Sequence, residues 1–360
     1  MKTKLLGKTP DELKAAAVAV GLPAYTGGQI AQWMYAKRFR SFDEMTNISK
    51  AGREKLAEKY DLGVSEAIGV AISTDGTKKY LFPVNCPKAP GLDAYEQSRP
   101  EELESAAVEA VMIPDEDRRT LCVSSQSGCR MGCRFCMTGR QGFHGQLSVA
   151  DILSQFIAVD ESHELTNAVF MGMGEPLDNY DNVMRAIEVL TADWGFGWSP
   201  KRITLSSVGV LPNLKRFLDE SRCHLAISLH NPFPDERKEL MPVEKAWSIE
   251  EVVRLIRRYD FSGQRRVSFE YIMFSGLNDT KRHEDALIRL LRGLECRVNL
   301  IRFHRIPDFP HVPSPAPVME GFRDRLNAHG ITCTIRASRG EDILAACGML
   351  AGKHGEKSKQ

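Results

Sequence analysis

The 360-residue sequence has no apolar run approaching the ~20 residues that span a bilayer, and its start, MKTKLLGKTPDELK, turns charged before a signal-peptide core could form. Both absences lead us to expect a cytoplasmic protein with no membrane partner. It also lacks the dispersed, even-numbered cysteines of a disulfide framework: there are nine, and three of them fall within eight residues. Metal binding or catalysis fits that clustering better. A large net charge is missing too, but the balance of +1 conceals an asymmetry. Residues 1–60 carry eleven Lys or Arg against six Asp or Glu, whereas residues 86–118 carry nine acidic against three basic side chains. The N-terminal part is therefore the expected polyanion-facing surface. Arginines gather again between 254 and 305. General disorder is excluded, since 42% hydrophobic and 26% charged residues leave a sizeable core.

Thr9-Pro10-Asp11-Glu12 reads as a helix start, with a hydroxyl cap, proline at the first helical position and glutamate at the third. Further helical stretches near 28–38 and 50–59 complete a small basic unit, residues 1–62. Apolar runs at 67–72 and 79–82 flank a turn at Asp75-Gly76, as in a hairpin, and the Pro-, Gly- and acid-rich stretch 86–105 reads as a loop; together they form a hairpin and linker, 63–105. From residue 119, strand-like runs near 119–124, 168–171, 202–206, 223–228, 266–273 and 297–302 alternate with helical patterns near 148–159, 181–192, 212–219, 248–259, 281–291 and 317–328. Ser248 with Glu251 forms a capping box at one helix start. Six βα units are too few for a closed eight-stranded barrel, so the expected fold is α/β, a partial (β/α)6 barrel over 106–350, with its chemistry at the C-terminal strand ends. A last strand near 332–336 and a short terminal helix carrying Cys347 precede a polar tail, 351–360.

Cys129, Cys133 and Cys136 form a CxxxCxxC loop directly after the first of these strands. Three thiolates so placed can ligate three irons of a 4Fe-4S cube and leave the fourth open. An open iron can chelate the amino and carboxylate groups of S-adenosyl-L-methionine and pass an electron into its sulfonium. The rival reading is a structural zinc site, closed by Cys122 or His144 in a non-catalytic RNA-binding protein. After the next strand, Gly174 and Glu175 offer close backbone approach and a carboxylate for an ammonium group. Ser206, Ser228 and His230 close later strands and can face the same ligand.

These residues resemble the RlmN/Cfr family of RNA adenosine methyltransferases. The resemblance runs through LCVSSQ at 121–126, the cysteine loop with Gly139 to Phe143, GMGEPLDN at 172–179, TLSSVGV at 204–210, AISLHNP at 226–232 and SRGEDILAACG at 338–348, and reaches Met45 to Ser49 in the N-terminal unit. It implies a radical-SAM barrel that methylates carbon 2 of an adenosine in 23S ribosomal RNA, with tRNA as a second substrate, or carbon 8 in a Cfr-like enzyme. It further implies two S-adenosyl-L-methionine molecules per turnover and an external electron donor such as flavodoxin or ferredoxin. Cys347 would accept a methyl group and carry it to the adenine as a methylene radical; Cys122 would release the adduct through a transient disulfide. Glu109 matches the family's proton acceptor, although the sequence alone ranks it among nine acidic residues of an exposed loop. The cofactor contacts carry over to Gly174, Glu175, Ser206, Ser228, Leu229 and His230. Where many relatives have asparagine in a segment like NLIPFNPFPG, this chain has His304, which the resemblance places at the same contact. Cys86, Cys223, Cys296 and Cys333 acquire no role.

Overall fold

The computed structural model describes residues 2–84, 107–263 and 265–351. In the N-terminal unit, β1 (Thr3–Lys4) pairs in parallel with β2 (Tyr60–Asp61) and closes off α1 (Pro10–Val18), α2 (Thr26–Ala31) and α3 (Lys50–Lys59). The Thr9 capping box forms: the Thr9 hydroxyl accepts from Glu12 N–H at 3.3 Å, and the Glu12 carboxylate accepts from Thr9 N–H at 2.7 Å. Gly27 allows α1 and α2 to touch, because a Cβ there would sit 2.3 Å from the Lys14 nitrogen. Leu13, Ala17, Ile30, Met34 and Tyr35 fill the space between them.

One ten-stranded sheet dominates the rest. Its strands in chain order are β3 (Gly69–Ile72), β4 (Lys78–Pro83), β5 (Ala107–Asp115), β6 (Arg118–Cys122), β9 (Asn167–Phe170), β10 (Ile203–Ser207), β11 (His224–Ser228), β12 (Val267–Met273), β13 (Arg297–Arg302) and β14 (Thr332–Ile335). A separate hairpin, β7 (Gln126–Gly128) and β8 (Phe143–Gln146), brackets the cysteine loop. The spatial order is β14-β13-β12-β11-β10-β9-β6-β5-β4-β3; the seven strands from β6 to β14 are parallel, and β5, β4 and β3 extend them antiparallel. The intervening helices are α4 (Met137–Arg140), α5 (Val149–Ile157), α6 (Tyr180–Thr191), α7 (Leu211–Glu220), α8 (Pro234–Leu240), α9 (Ile249–Ile256), α10 (Lys281–Leu291) and α11 (Ala316–Ala328). The βα alternation expected from the sequence is therefore present, with the Ser248–Glu251 capping box at the start of α9. No described helix is long and apolar enough to cross a membrane.

Two local expectations change. Ala107–Asp115 is a strand whose Val108, Glu109, Ala110, Val111 and Met112 are all buried, so Glu109 belongs to the sheet and not to an exposed loop. Its run of acidic neighbours masked a β-rich core segment. The proposed loop 86–105, which contains Cys86, lies outside the described residues. At the C-terminus, the expected helix around Cys347 is a 3-10 turn, Glu341–Ile343, with Cys347 in a following turn. Gly340 and Leu344, both at positive φ (61° and 55°), prevent helical continuation.

The strand ends are fastened by Arg237, a fully buried side chain on α8. It donates to the carbonyls of Val208 (3.1 Å), Ser228 (2.8 Å) and Leu229 (2.9 Å), and pairs with the buried Glu244 carboxylate. One planar cation thus ties the ends of β10 and β11 together. Replacing Arg237 with Met leaves Glu244 buried without its cation, and the expected cost is ~3–5 kcal/mol of folding stability. Chemical denaturation checks this; a loss below about 1 kcal/mol contradicts it.

Candidate active site

The cysteine loop is built by backbone constraints. Gly128 is at φ 71°, and a Cβ there would lie 2.0 Å from the Gly142 carbonyl oxygen, which instead accepts from Cys129 N–H at 2.7 Å. Gly139 lets α4 close on the loop, since its Cβ would meet the Cys133 backbone at 3.0 Å. Cys136 is the N-cap residue of α4. The C-terminal segment docks here as well: Met137 N–H donates to the Gly348 carbonyl (2.8 Å) and the Thr138 hydroxyl to the Leu350 carbonyl (2.8 Å). Cys129, Cys133 and Cys136 consequently line one cavity together with Gly174, Glu175, Ser206, Ser228, His230, Glu270 and Cys347.

Burial pushes the Cys129 thiol up to about 12 and raises Cys133 and Cys136 above their ordinary values. Thiolates in such a place need a cation at the sulfur. Among the described residues no three His, Cys, Asp or Glu side chains converge on a point where one metal ion could sit. Three thiols lining one cavity suit a cube, in which each binds a separate iron. Neither fourth ligand of the zinc reading joins them: His144 is exposed on β8, and Cys122 lies in a different cavity.

Glu175 is buried in the turn that follows β9; Leu177 N–H donates to its Oε1 at 3.1 Å and Val208 N–H to its Oε2 at 2.9 Å. Its own N–H is held by Gln126 Oε1 at 2.8 Å, and Gln126 Nε2 reaches Asp178 at 2.6 Å. Gly174, at φ 95°, makes this possible, since a Cβ there would be 2.4 Å from Gln126 Cβ. His230 is also left-handed (φ 56°); its Nδ1 accepts from Ile272 N–H at 3.0 Å, which puts the ring proton on Nε2. Burial, with Arg237 nearby, drops the His230 pKa to about 3, so the ring is a neutral donor.

A second cavity shares Cys347, Met171 and Ile301 with the first. It is lined by Cys122, Met171, His304, Arg336, Arg339 and Cys347, among others. Cys347 is the exposed cysteine among the described residues and borders both cavities. Burial pushes Cys122 up to about 12, while the Arg336 guanidinium pulls it down. His304, which the resemblance places at a cofactor contact, lies in the turn after β13, faces Ser338 (3.1 Å) and Glu341 (3.2 Å) and lines the second cavity. Leu229 is fully buried and lines neither cavity. Glu109 borders neither: its carboxylate pairs with Lys79 at 3.0 Å and accepts from Ala351 N–H at 2.8 Å. Gln126, Asp178, Arg237, Glu270 and Arg336 were not anticipated. Gln126 and Asp178 sit inside motifs already recognised, but their contacts with each other and with Glu175 join segments far apart in the chain.

Burial raises the Glu175 carboxyl to about 7 from its ordinary 4.5. Between these values the folded protein holds a proton that the unfolded chain has released, so this group's stabilising contribution is complete below 4.5 and is lost as pH rises to 7. Denaturation of ligand-free protein across that range should show stability falling with pH in wild type and a flatter profile in Glu175→Gln. An unchanged slope contradicts the assignment.

Residues 123–287 match the family described as the Radical SAM superfamily, and residues 3–62 match the ribosomal RNA large subunit methyltransferase N-terminal domain. A probable dual-specificity RNA methyltransferase RlmN of Porphyromonas gingivalis is 57% identical over 100% of this chain and 97% of its own length. The corresponding Bacteroides fragilis protein is 54% identical over 100% and 99%, and the dual-specificity RNA methyltransferase RlmN of Syntrophus aciditrophicus is 39% identical over 95% and 94%. Among solved structures, a radical SAM methyltransferase from Sphaerobacter thermophilus superimposes with a TM-score of 0.88 at 35% identity, covering 98% of this chain and 100% of that one. These full-length likenesses set aside a non-catalytic zinc protein, and the chain belongs to the RlmN family of radical SAM methyltransferases.

Proposed function

We propose that this protein methylates carbon 2 of an adenosine in 23S ribosomal RNA and in tRNA, with Cys347 as the methyl carrier. The observation that carries the reading is the position of Cys347 on the border of two cavities, one lined by the CxxxCxxC thiols and the other containing Cys122. A carrier has to reach a methyl donor on one side and its acceptor on the other. Cys129, Cys133 and Cys136 would hold a 4Fe-4S cluster, which when bound supplies the electron that cleaves S-adenosyl-L-methionine to a radical. Gly174 and Glu175 would receive the methionyl end, and Ser206, Ser228 and the His230 Nε2–H the rest. Leu229 would contribute through its backbone only.

In the second cavity the adenine would lie between Cys347 and Cys122, with Arg336 and Arg339 favouring an electron-rich, phosphate-bearing ligand. Such a position requires the base to leave its stack. Release of the methylated base needs the Cys122 thiolate to attack the Cys347 sulfur: an S–S bond forms, the S–C bond breaks, and the electron pair goes to the departing methylene carbon, which takes up a proton from solvent to become the methyl group. Glu109 would take the ring proton, exchanging its bond from Ala351 N–H for the substrate as the C-terminal segment shifts. We assign residues 1–62 to RNA gripping, 63–105 to a hairpin and linker, 106–350 to the catalytic barrel and 351–360 to a tail. The electron donor is a flavodoxin or ferredoxin, and the compartment is the cytoplasm, where thiols stay reduced.

Mass analysis of nucleosides from RNA treated with cluster-replete enzyme tests this. 2-Methyladenosine is expected; 8-methyladenosine would move the chain to Cfr-like chemistry. Cys347→Ala is expected to give no product, and Cys122→Ala to accumulate protein covalently bound to RNA. Free product from Cys122→Ala at the wild-type rate contradicts the role of Cys122.

A further inference from the structure

Arg336 directly follows β14, and its N–H continues that strand's pairing by donating to the Leu300 carbonyl on β13 at 2.8 Å. From this fixed backbone the guanidinium reaches back to β12 and the end of β9: Nη1 lies 3.5 Å from Glu270 Oε2 and 4.0 Å from Met171 Sδ. Met171 in turn gives a backbone hydrogen bond to the Cys122 sulfur, and Cys122, Met171, Arg336 and Cys347 line the second cavity together. The other charged groups of that cavity have partners of their own. Arg118 and Arg339 pair with Asp115, at 2.6 and 3.4 Å, and His304 stands 3.2 Å from Glu341.

Cys122 is 8% exposed; burial, with Cys347 as a second thiol beside it, pushes it up to about 12, and Met171 and Arg336 pull the other way. Burial raises Cys347 too, again opposed by Arg336. A thiol attacks sulfur only as its thiolate, and a neighbouring guanidinium makes the thiolate easier to form. We propose that Arg336 is the counter-cation for the Cys122 sulfur in the step that frees the methylated base; this rests on the reading of Cys122 as the releasing thiol. The Cys122 proton passes to water and the thiolate forms the S–S bond with Cys347. The S–C bond breaks, its electron pair stays with the methylene carbon, and that carbon takes a proton from solvent; a dithiol then reduces the disulfide. Arg336 acts through Cys122 and is a positioning residue. A phosphate contact alone would act on RNA binding and leave release untouched.

The test is an anaerobic single turnover of cluster-replete enzyme carrying labelled methyl on Cys347, with RNA, S-adenosyl-L-methionine, an electron donor and a dithiol, quenched at intervals between about pH 7 and about pH 9. Denaturing gels separate labelled protein–RNA adduct from labelled free RNA. Arg336→Met should accumulate adduct near neutrality and free it about tenfold more slowly than wild type, with release recovering by about tenfold per pH unit as the thiol ionises. Arg336→Lys, which keeps the charge, should restore much of the release. Should Arg336→Met fail to fold, Arg336→Gln takes its place with the same expectations. Release at the wild-type rate, or slow release that rising pH does not speed, overturns the inference. So does a variant that loads no methyl on Cys347, or loads it and forms no adduct, because the arginine then acts at an earlier step. Cys122→Ala is run alongside: adduct that persists at every pH leaves the proposed function standing, whereas free product at the wild-type rate overturns both.

Discussion

Three thiols gathered in one cavity beside the ends of the parallel strands are the constraint on which the rest of this structure depends. Burial raises all three, so the loop can deliver thiolates only to a cation, and the surrounding chain has to hold the sulfurs apart and in place until one arrives. The glycines at 128 and 139 let backbone approach backbone around them. Gln126, at the start of the β7–β8 hairpin, ties the loop to the segment after β9 by accepting from Glu175 N–H and donating to the Asp178 carboxylate. Arg237 fixes the neighbouring strand ends from beneath. A site of this kind is made by the sheet's edges and not by any single segment.

The antiparallel extension has a function beyond covering the sheet. The turn between β3 and β4 holds the segment that bears Cys347: Gly340 N–H donates to Asp75 at 3.0 Å, and the Ser73 hydroxyl and Thr74 N–H both donate to Asp342. Glu109 on β5 adds the bond from Ala351 N–H. These contacts bring a C-terminal thiol against a loop more than two hundred residues earlier, so the carrier's position is set by the hairpin on one side and by α4 on the other. The same segment closes the second cavity, whose Arg336 and Arg339 flank Cys122 and Cys347.

Much of this was legible in the sequence because it was local. Helix caps at Thr9 and Ser248, the βα alternation from residue 119, and the compact cysteine triplet each depend on short spacings, and all appear where expected. What escaped was non-local. Glu109 looked like one more acid in a charged stretch because its burial is conferred by β4 and β6, distant in sequence. His304 was placed by analogy with an asparagine, and its contacts with Ser338 and Glu341 depend on a C-terminal segment distant in sequence. The meeting of Cys122, Met171 and Arg336 at one cavity has no sequence signature, since the neighbours of a strand are invisible until the sheet is assembled.

The central claim is that one cysteine serves both cavities by carrying carbon between them. The measurement that tests it most directly is peptide mass spectrometry of cluster-replete enzyme incubated with methyl-labelled S-adenosyl-L-methionine in the absence of RNA. The account predicts label on the peptide containing Cys347 and its transfer to adenosine when RNA is added. Labelled RNA product from an enzyme whose Cys347 never acquires the label would contradict it.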